Sequence, residues 1–520
     1  MMDAQAVVKF IPDDLFEKIL LEADLQSIMR CRRAAKWLNL LVEQSTRLQY
    51  QLELAVENME DGFPNSLPIA ERLTKLRDRR RAWNTMSFKE KRIINRPHDV
   101  ELHVRSVPMC ITGYDARADP KDPQGVISIT RMQDGRLKDS WKVSMRDVVV
   151  GKLKHLLLYE EHELLVLFEH RDDDWIIHFR CWTTGTAHPR AFQSSFQAGT
   201  GVLAPIPGSL GFHVGMQVIE EYTVIDWDAL DGYRRLIIYN WNNGEVVANI
   251  FSKSSFEFML MSQRYLLVVY DSLSGPLRLC IVDLHSSRRA TEVSVKKLQT
   301  VCQLRLPEKG GRFTVTYMHF ASRSTDAWGR SAGVRPAASF SSASQIITLV
   351  VGYHQGPRDG RTHEEEEYTL LIPPSVLFDC IDKAQDGPRS FSWDEWGQQN
   401  TRLVRTLTPS RMDFFCPGGL RAIAYGDHLD PEDGHPTDTG SVMELELYDF
   451  APLAVRKHQT DLELGRAEQG VELSVCWEYG PSAVFKSQDL TSTLPALITD
   501  DGLEVDYELE NRFEDHLLTF

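Results

Sequence analysis

Residues 237–244 read IIYNWNNG and residues 177–185 read IHFRCWTTG. In both stretches, β-branched and aromatic residues lead into a tryptophan, polar residues and a glycine that permits a tight turn. Similar apolar runs, cut by Gly, Asp, Asn or Pro, continue from about Val104 onward. This pattern predicts a large all-β region without a sustained helix. The predicted strands are Val126–Thr130, Leu164–Phe168, Trp175–Phe179, Leu236–Tyr239, Tyr265–Tyr270, Arg278–Val282, Phe313–Tyr317, Ile346–Val351, Tyr368–Ile372 and Val442–Tyr448.

The β region also contains a loose internal repeat. A strand followed by a polar turn recurs at residues 127–135, 279–287 and 447–453. The turns that contain Trp182 and Trp241 resemble the turn between the third and fourth strands of a WD-repeat blade. Radial blades leave few exposed sheet edges, and about 420 residues at roughly 60 per blade correspond to about seven blades. We therefore expect residues 101–520 to form a β-propeller of about seven blades, with a pair of β-sandwiches as the alternative.

Five polar segments of the β region are predicted to be loops. Loops of such length in a compact domain are usually functional or disordered. The segments are Asp115–Gly125, Ala321–Gln345, Gly356–Glu367 with its run of four glutamates, Lys383–Asn400 and His428–Gly440.

The N-terminal region has a different pattern. Residues 10–33 read FIPDDLFEKILLEADLQSIMRCRR, and apolar residues recur at helical spacing from Asp13 to about Ala82, with one break at residues 62–65. Pro12 suits the start of a first helix, and Asp24 suits the N-cap of a second. About forty residues cannot enclose the apolar stripes of three such short helices unaided. These helices are therefore predicted to need a partner.

The spacing of these residues resembles the F-box, the module that joins a substrate-recognition subunit to the small adaptor of Skp–cullin–F-box ubiquitin ligases. The family opens with Leu-Pro-x-Glu/Asp-Leu/Val-Leu-x-x-Ile-Leu, which residues 11–20 match as IPDDLFEKIL. Asp24-Leu25 and Ile28 with Cys31-Arg32 match the second part of the pattern. The resemblance implies a surface that binds a Skp-type adaptor. The residues implied for that role are Ile11, Pro12, Leu15, Ile19, Leu20, Leu25, Ile28, Cys31 and Leu38.

The resemblance covers about the first 85 residues. It places the F-box at residues 7–50, and residues 51–100, a helical linker region, are similar to the extended N-terminal region of many fungal F-box proteins. The chain departs from the family where many members have Val-Cys-Lys followed by an aromatic residue two positions on. Here Ala34-Ala35-Lys36 precedes Trp37, one position early, and Leu38 takes the aromatic position. The two small residues predict weaker adaptor binding than is usual, and a helical cap that only seals the β region is the alternative reading.

Charge divides the chain at the same place. The whole chain has a formal net charge of −16, with 17 basic and 15 acidic residues in the first hundred and 41 and 59 in the remainder. A large acidic region repels phosphate backbones and anionic membranes, so we expect neither nucleic acid nor membrane as a partner. The excess of acidic residues after the first hundred favours a substrate with a basic docking segment. The alternative is that these acidic residues only keep the protein soluble.

The cysteines and other motifs point to no chemistry. The eight cysteines are scattered without a CxxC pair, no N-x-Ser/Thr sequon occurs, and no apolar run approaches 18 residues. We therefore expect reduced thiols in a cytoplasmic or nuclear protein. His428, Asp430, Asp433 and His435 lack a recognised metal spacing, and no nucleophile elbow, P-loop or dinucleotide fingerprint is present. We expect no catalytic residue, no metal and no cofactor.

Three functional hypotheses follow. The first is a non-enzymatic adaptor: the helices bind the Skp-type subunit and, through it, the cullin ligase, while the β region presents a protein substrate. The second is an interaction scaffold that binds the adaptor without cullin. The third is a propeller-type hydrolase with a fused helical domain, for which no acid–base residues could be named. A nuclear-localisation or nucleic-acid patch at Arg79-Arg80-Arg81 is less favoured than a solvated helix face.

Overall fold

The computed structural model has a small helical N-terminal region followed by a large β region of several sheets. No helix among the described residues is both long and apolar enough to cross a membrane. The structure describes residues 12–61, 67–85, 90–96, 113–119, 122–133, 136–159, 162–172, 174–198, 212–229, 233–253, 256–270, 277–285, 292–307, 313–320, 340–342, 346–355, 364–406, 414–415, 421–427, 442–449, 483–491, 496–499, 502–509 and 512–519.

Within the described residues, five helices form the N-terminal region, as the apolar spacing predicted. They are α1 (Asp13–Leu21), α2 (Leu25–Ala34), α3 (Lys36–Gln44), α4 (Thr46–Val56) and α5 (Ile69–Thr85).

Two small apolar cores hold these helices together. In the first, Leu20 of α1, Ile28 of α2 and Val42 of α3 pack against Leu48 and Leu52 of α4. The second joins α4 to α5 through residues such as Leu54 and Leu76. The first three helices are therefore closed from within the chain by α4, so their inner face needs no partner.

The helical description of residues 51–100 requires correction. α4 crosses the expected boundary at residue 50, and two strands, β1 (Met59–Asp61) and β2 (Glu90–Arg96), lie within the segment. Both strands pair with distant parts of the chain, and such long-range pairing outweighs local propensity. The division of the chain at residues 50 and 100 stays a prediction.

Seven sheets of three to five strands, described here in chain order, make up the β region within the described ranges. Sheet 1 contains β3 (Gly113–Asp119), β4 (Asp122–Gln133) and β5 (Arg136–Ser144). Sheet 2 contains β6 (Lys152–Tyr159), β7 (Leu164–Arg171), β8 (Asp174–Cys181) and β9 (Ser195–Gln197). Sheet 3 contains β10 (Phe212–Ile219), β11 (Tyr222–Ala229), β12 (Arg234–Asn240), β13 (Val246–Ser252) and β17 (Val293–Ser294).

The remaining sheets complete the β region. Sheet 4 contains β14 (Phe256–Leu260), β15 (Tyr265–Tyr270), β16 (Arg278–Asp283), β18 (Thr300–Arg305) and β23 (Arg389–Phe391). Sheet 5 contains β19 (Phe313–Phe320), β21 (Ile347–Gln355), β22 (Glu364–Ile372) and β24 (Arg402–Thr406). Sheet 6 contains β25 (Phe414–Phe415), β26 (Arg421–Asp427), β27 (Val442–Asp449) and β28 (Ala483–Thr491). Sheet 7 contains β29 (Ala496–Thr499), β30 (Gly502–Leu509), β31 (Arg512–Thr519) and β2.

Consecutive sheets pack against each other through apolar side chains. One core joins sheets 1 and 2, a second joins sheets 2 and 3, a third joins sheets 3 and 4, and a fourth joins sheets 4 and 5. Sheets covered on both faces have strands that are apolar almost throughout, and residues 164–168 and 266–269 are such runs. All ten strands predicted from the sequence lie in these sheets.

Several strands connect separate parts of the chain. β17 and β23 extend sheets 3 and 4 as parallel outer strands, although each comes from the connection within a later sheet. β20 (Phe340–Ser342), from the Ala321–Gln345 segment, pairs with β1 of the helical region. β2 pairs along its whole length with β31, next to the end of the chain. β17, β23 and β2 thus cover sheet edges that would otherwise be open, whereas β1 and β20 form a separate two-stranded sheet.

The repeated turn was predicted correctly. In sheets 2 and 3, Gly185 and Gly244 have φ values of +74° and +80°, a conformation that favours glycine. The backbone N–H of Trp182 donates to the carbonyl of Glu163 over 3.1 Å, and that of Trp241 donates to Glu221 over 2.9 Å. The same local contact thus ties the last turn of each sheet to its first turn.

Four of the five predicted loops contain regular structure, and the one at Ala321–Gln345 contains β20. Asp115–Gly125 lies largely in the β3–β4 hairpin, because Ala116 and Ala118 pack into the core between sheets 1 and 2 despite the polar sequence around them. Glu364–Glu367 begins β22, and Glu367 is buried and accepts a hydrogen bond from Tyr317. His428–Gly440 and residues 321–339 lie outside the described residues.

The expectation of no sustained helix in the β region was also wrong, because one helix there is ten residues long. Helix α6 (Pro374–Lys383) buries Leu377 and Ile381 against sheets 4 and 5. Helix α7 (Trp393–Trp396) and strand β23 occupy the predicted loop Lys383–Asn400. Ser392 and Glu395 form a capping box at the start of α7, a local signal that the sequence contains.

Candidate partner-binding surface on the N-terminal helices

Helix α1 has an inner and an outer apolar side. The carbonyl of Pro12 accepts hydrogen bonds from the backbone N–H of Leu15 and Phe16 over 3.0 and 3.2 Å, which starts the helix at the predicted place. Leu20 then points into the helical core, whereas Leu15 and Ile19, four residues apart, are 45% and 57% exposed. Residues at this spacing share one helix face. α1 therefore has an apolar stripe that no described residue covers fully.

Asp24 fixes the turn between α1 and α2. Its carboxylate accepts from the backbone N–H of Ser27 over 2.7 Å and from the hydroxyl of Ser27 over 3.0 Å, which makes it the predicted N-cap. Hydrogen bonds from Ser27 lower the pKa of Asp24, so the cap is a carboxylate at neutral pH. With α2 held in this way, Ile28 lies in the core and Met29 lies exposed.

Helix α3 also has exposed apolar side chains, Trp37 and Leu40. The ring of Trp37 meets the ring of Phe16 edge to face, with centroids 4.9 Å apart, so α3 lies beside α1. Leu40, three residues after Trp37, is 52% exposed. The guanidinium Nε of Arg32 donates to Asn39 over 3.0 Å and thereby links α2 to α3. The relative positions of the three helices are thus set by specific contacts.

We call the side chains of Leu15, Ile19, Met29, Trp37 and Leu40 the helical apolar surface. They are five of the nine large apolar side chains that are exposed in the described part of the chain, although these helices are a small fraction of it. Scattered exposed apolar residues are normal, but a concentration of them marks an interaction site. The surface is therefore the candidate site.

The structure separates the nine residues that were predicted to bind the adaptor. Leu15 and Ile19 lie on the helical apolar surface, and Pro12 is exposed beside them. Leu20 and Ile28 are buried in the helical core, where they support the surface from below. Leu25, Cys31 and Leu38 are half-buried, and Ile11 lies outside the described residues.

Three members of the helical apolar surface were not among the nine. Met29, Trp37 and Leu40 fall outside the family pattern on which that selection rested. In that pattern, Trp37 is an aromatic residue one position early. The spacing of Trp37 and Leu40 on one face of α3 is a signal that the sequence contains, because residues three apart are neighbours on a helix.

Arg79-Arg80-Arg81 forms neither a basic patch nor a fully solvated face. Arg79 is buried, with its Nη1 3.8 Å from the carboxylate of buried Glu57, and Arg80 pairs with Glu53. Only Arg81 is exposed, near Asp78. Two of the three arginine charges are therefore paired with glutamates at the contact between α4 and α5, so only one of the three remains exposed for binding phosphate.

The remaining candidates add no second site of known type. In the described ranges, no group of three or more His, Cys, Asp or Glu side chains has an arrangement that could hold a metal ion. His428, Asp430, Asp433 and His435 lie outside those ranges. Burial raises the pKa of the Cys280 thiol to about 11 and that of Cys302 to about 12, so both stay protonated and unreactive.

No protein-family model matches the chain, and no curated protein matches it. Similar solved structures include the WD40 domain of SCAP from fission yeast, at 11% identity and a TM-score of 0.30 over 83% of this chain and 98% of that one. Oligopeptidase B from Trypanosoma brucei, with covalently bound antipain, shows 11% identity and a TM-score of 0.27 over 74% and 59%. Dihydro-heme d1 dehydrogenase NirN shows 9% identity and a TM-score of 0.25 over 72% and 64%. Similarities at this level carry no functional information.

Proposed function

We propose that the chain is the substrate-recognition subunit of a Skp–cullin–F-box type ubiquitin ligase. The helical apolar surface binds the Skp-type adaptor, and the β region binds a protein substrate. The observation that carries this proposal is the exposure of Leu15, Ile19, Met29, Trp37 and Leu40 on helices whose own core is already closed by α4. An apolar surface on helices whose own core is already closed is suited to binding a protein partner.

The size of the surface suits a moderate affinity. Covering the exposed half of each of these side chains contributes roughly 1 kcal/mol per residue. The cost of association consumes a part of that gain. Ala34 is exposed at the end of α2 and Ala35 is half-buried, and neither belongs to the helical core, so the small residues at these positions leave that core intact.

We further propose that the seven sheets close into a propeller, in keeping with the expected number of blades. Support comes from the stacking of sheets 1 to 5 in chain order and from the pairing of β2 with β31, which joins an early strand to the last sheet. A closed ring gives the helices and the substrate one rigid connection. Rigid linkage raises the effective concentration of substrate lysines near the charged ubiquitin-conjugating enzyme.

The acidic β region favours a substrate with a Lys- or Arg-rich docking segment, because complementary charge speeds encounter. Ubiquitin transfer itself is performed by other subunits, so this function requires no catalytic residue of the chain.

Capture from cell extract tests the function. The tagged full chain is expected to retain both the Skp-type adaptor and cullin, whereas Leu15→Asp with Ile19→Asp is expected to lose both. The matched control is Val150→Asp, at an apolar residue of the β region that is 66% exposed; this variant should capture normally. Adaptor without cullin would favour the non-ligase scaffold, and capture that is unchanged in the double variant would refute the F-box hypothesis.

A further inference from the structure

Sheet 2 contains a serine, a histidine and a glutamate in hydrogen-bonded order on three adjacent strands. Ser195 on β9 lies opposite His178 on β8, and its hydroxyl oxygen is 2.8 Å from the histidine Nδ1. The histidine Nε2 lies 2.8 Å from a carboxylate oxygen of Glu169 on β7. This is the order of nucleophile, base and orienting acid in acyl-transfer sites.

The protonation states of the three groups fit this order. Burial opposes charge on Glu169, but Arg171, the backbone N–H of Gly151 and His178 all donate to its carboxylate, and its pKa is lowered. Burial lowers the pKa of His178, so its imidazole is neutral at pH 7. The Nε2–H of His178 then donates a hydrogen bond to the carboxylate, which leaves the Nδ1 lone pair to accept a hydrogen bond from the hydroxyl of Ser195.

Arg180 adds a donor beside the hydroxyl. Its Nη2 donates to the oxygen of Ser195 over 3.0 Å. Its buried Nε has no acceptor within the described part of the chain. A buried donor without a partner calls for an explanation such as a ligand oxygen. A guanidinium beside the hydroxyl of Ser195 also suits the negative charge that develops on the carbonyl oxygen of a substrate attacked there.

Ser195 is also accessible. It is partly exposed, whereas Glu169 and His178 are buried. Leu165 and Leu167, on the same side of sheet 2 as the three polar residues, pack against sheet 1. In the described ranges, β9 is an outer strand of sheet 2, and sheet 1 has three strands.

We propose that Ser195 is an activated nucleophile that takes the acyl group from carboxylic esters. The serine oxygen attacks the ester carbonyl while its proton passes to Nδ1 of His178, and Glu169 stabilises the imidazolium. The carbon–oxygen bond to the alcohol then breaks, and the proton from His178 goes to the leaving alkoxide. Attack by water on the acyl-serine, with the same histidine as base, releases the carboxylic acid and restores the hydroxyl.

A fluorophosphonate probe tests this proposal on the full chain, because it phosphonylates activated serines with loss of fluoride. One probe molecule is expected per chain, on the peptide that contains Ser195. Ser195→Ala should lower the labelling rate by at least about a hundredfold. Ser194→Ala is the matched control. Ser194 is the preceding residue and is also partly exposed, so this variant should label at the wild-type rate.

The pH profile and a second variant separate activation from a structural role. Because the pKa of His178 lies below its ordinary value of 6.5, the rate should be flat above about pH 7 and fall only on acidification. Glu169→Gln should slow labelling at least about tenfold, with intact fold checked by circular dichroism. No label on the wild type, equal label on Ser195→Ala, or a rate that climbs steadily to about pH 9 would each overturn the proposal; if Glu169→Gln fails to fold, the serine pair and the pH profile decide.

Discussion

Helices α1 to α3 and sheets 2 to 4 differ in how far they bury their apolar side chains. Residues 164–168 of sheet 2 have no exposed surface, whereas Ile19 of α1 is 57% exposed. Each of these sheets packs on one face against the sheet that precedes it in the chain and on the other face against the sheet that follows it. The helices have one closed face and one open face. Among the described residues, five of the nine exposed large apolar side chains lie on these helices, which is where the proposed partner would bind.

The largest effect should come from removing the end of the chain. Truncation after Arg456 deletes β28 to β31, so sheet 6 loses a strand and β2 loses its partner β31. We expect cooperative unfolding of the whole β region, measured by near-ultraviolet circular dichroism and urea titration, while removal of Phe520 alone should have no effect. A soluble truncated protein with an unchanged urea midpoint would contradict the closed ring and favour separate sandwiches.

A matched pair of substitutions tests the buried region against the exposed one. Phe168→Ala removes a fully buried ring that stacks on Trp175 and should lower the free energy of unfolding by about 3–5 kcal/mol. Ile19→Ala should lower it by about 0.5 kcal/mol or less. Urea unfolding of both variants measures the difference. Equal losses would mean that Ile19 is covered in the free protein, and the comparison would then fail.

A buried and an exposed arginine of α5 allow the same comparison for charged side chains. Arg79→Ala leaves Glu57 buried beside an alanine, and we expect a loss of about 3 kcal/mol in the free energy of unfolding. Arg81→Ala, at an exposed residue, should cost about 0.5 kcal/mol or less. Thermal unfolding of the helical region reports both values. A larger loss from Arg81→Ala would show that the pairing between α4 and α5 is not the main stabilising contact.

The smallest effect concerns acid. Burial lowers the pKa of both His178 and His188, so the folded chain resists proton uptake that the unfolded chain accepts near the ordinary value of 6.5. Stability of the β region should therefore fall as pH drops below about 6.5. The described helices contain no histidine and should lack this loss. The urea midpoint at pH 7.5 and 5.5 measures it, and His188→Gln should reduce the decline; a midpoint that rises on acidification would contradict the assignment.

Much of the fold could be predicted because it depends on patterns of residues that are close together in the sequence. Alternating or continuous apolar runs identified the strands, and Asp24 and the turn glycines identified a cap and two turns. Pairings such as β2 with β31 and β1 with β20 could not be predicted, since nothing near Glu90 or Met59 indicates a partner hundreds of residues away. Helix α6 had a readable signal, with Leu377, Cys380 and Ile381 at helical spacing after Pro374, that the β-rich context concealed.

The candidate site was predicted only in part, for a physical reason. A helix stripe such as Leu15, Ile19 and Leu20 does not reveal which members face the core until the neighbouring helices are placed. The position of α4 behind α1 buries Leu20 and leaves the other two outside. The hydrogen-bonded order of Glu169, His178 and Ser195 depends on strand register, and sequence spacing contains no sign of it.

Direct titration of the purified full chain with a purified Skp-type adaptor, followed by calorimetry, tests the central claim about the helical apolar surface. The account predicts a 1:1 complex for the wild type and for Val150→Asp. It predicts at least a hundredfold weaker binding for Leu15→Asp with Ile19→Asp, because burying two unpaired carboxylates costs roughly several kcal/mol. No measurable heat with the folded wild-type chain, or the same affinity for the double variant, would contradict the account.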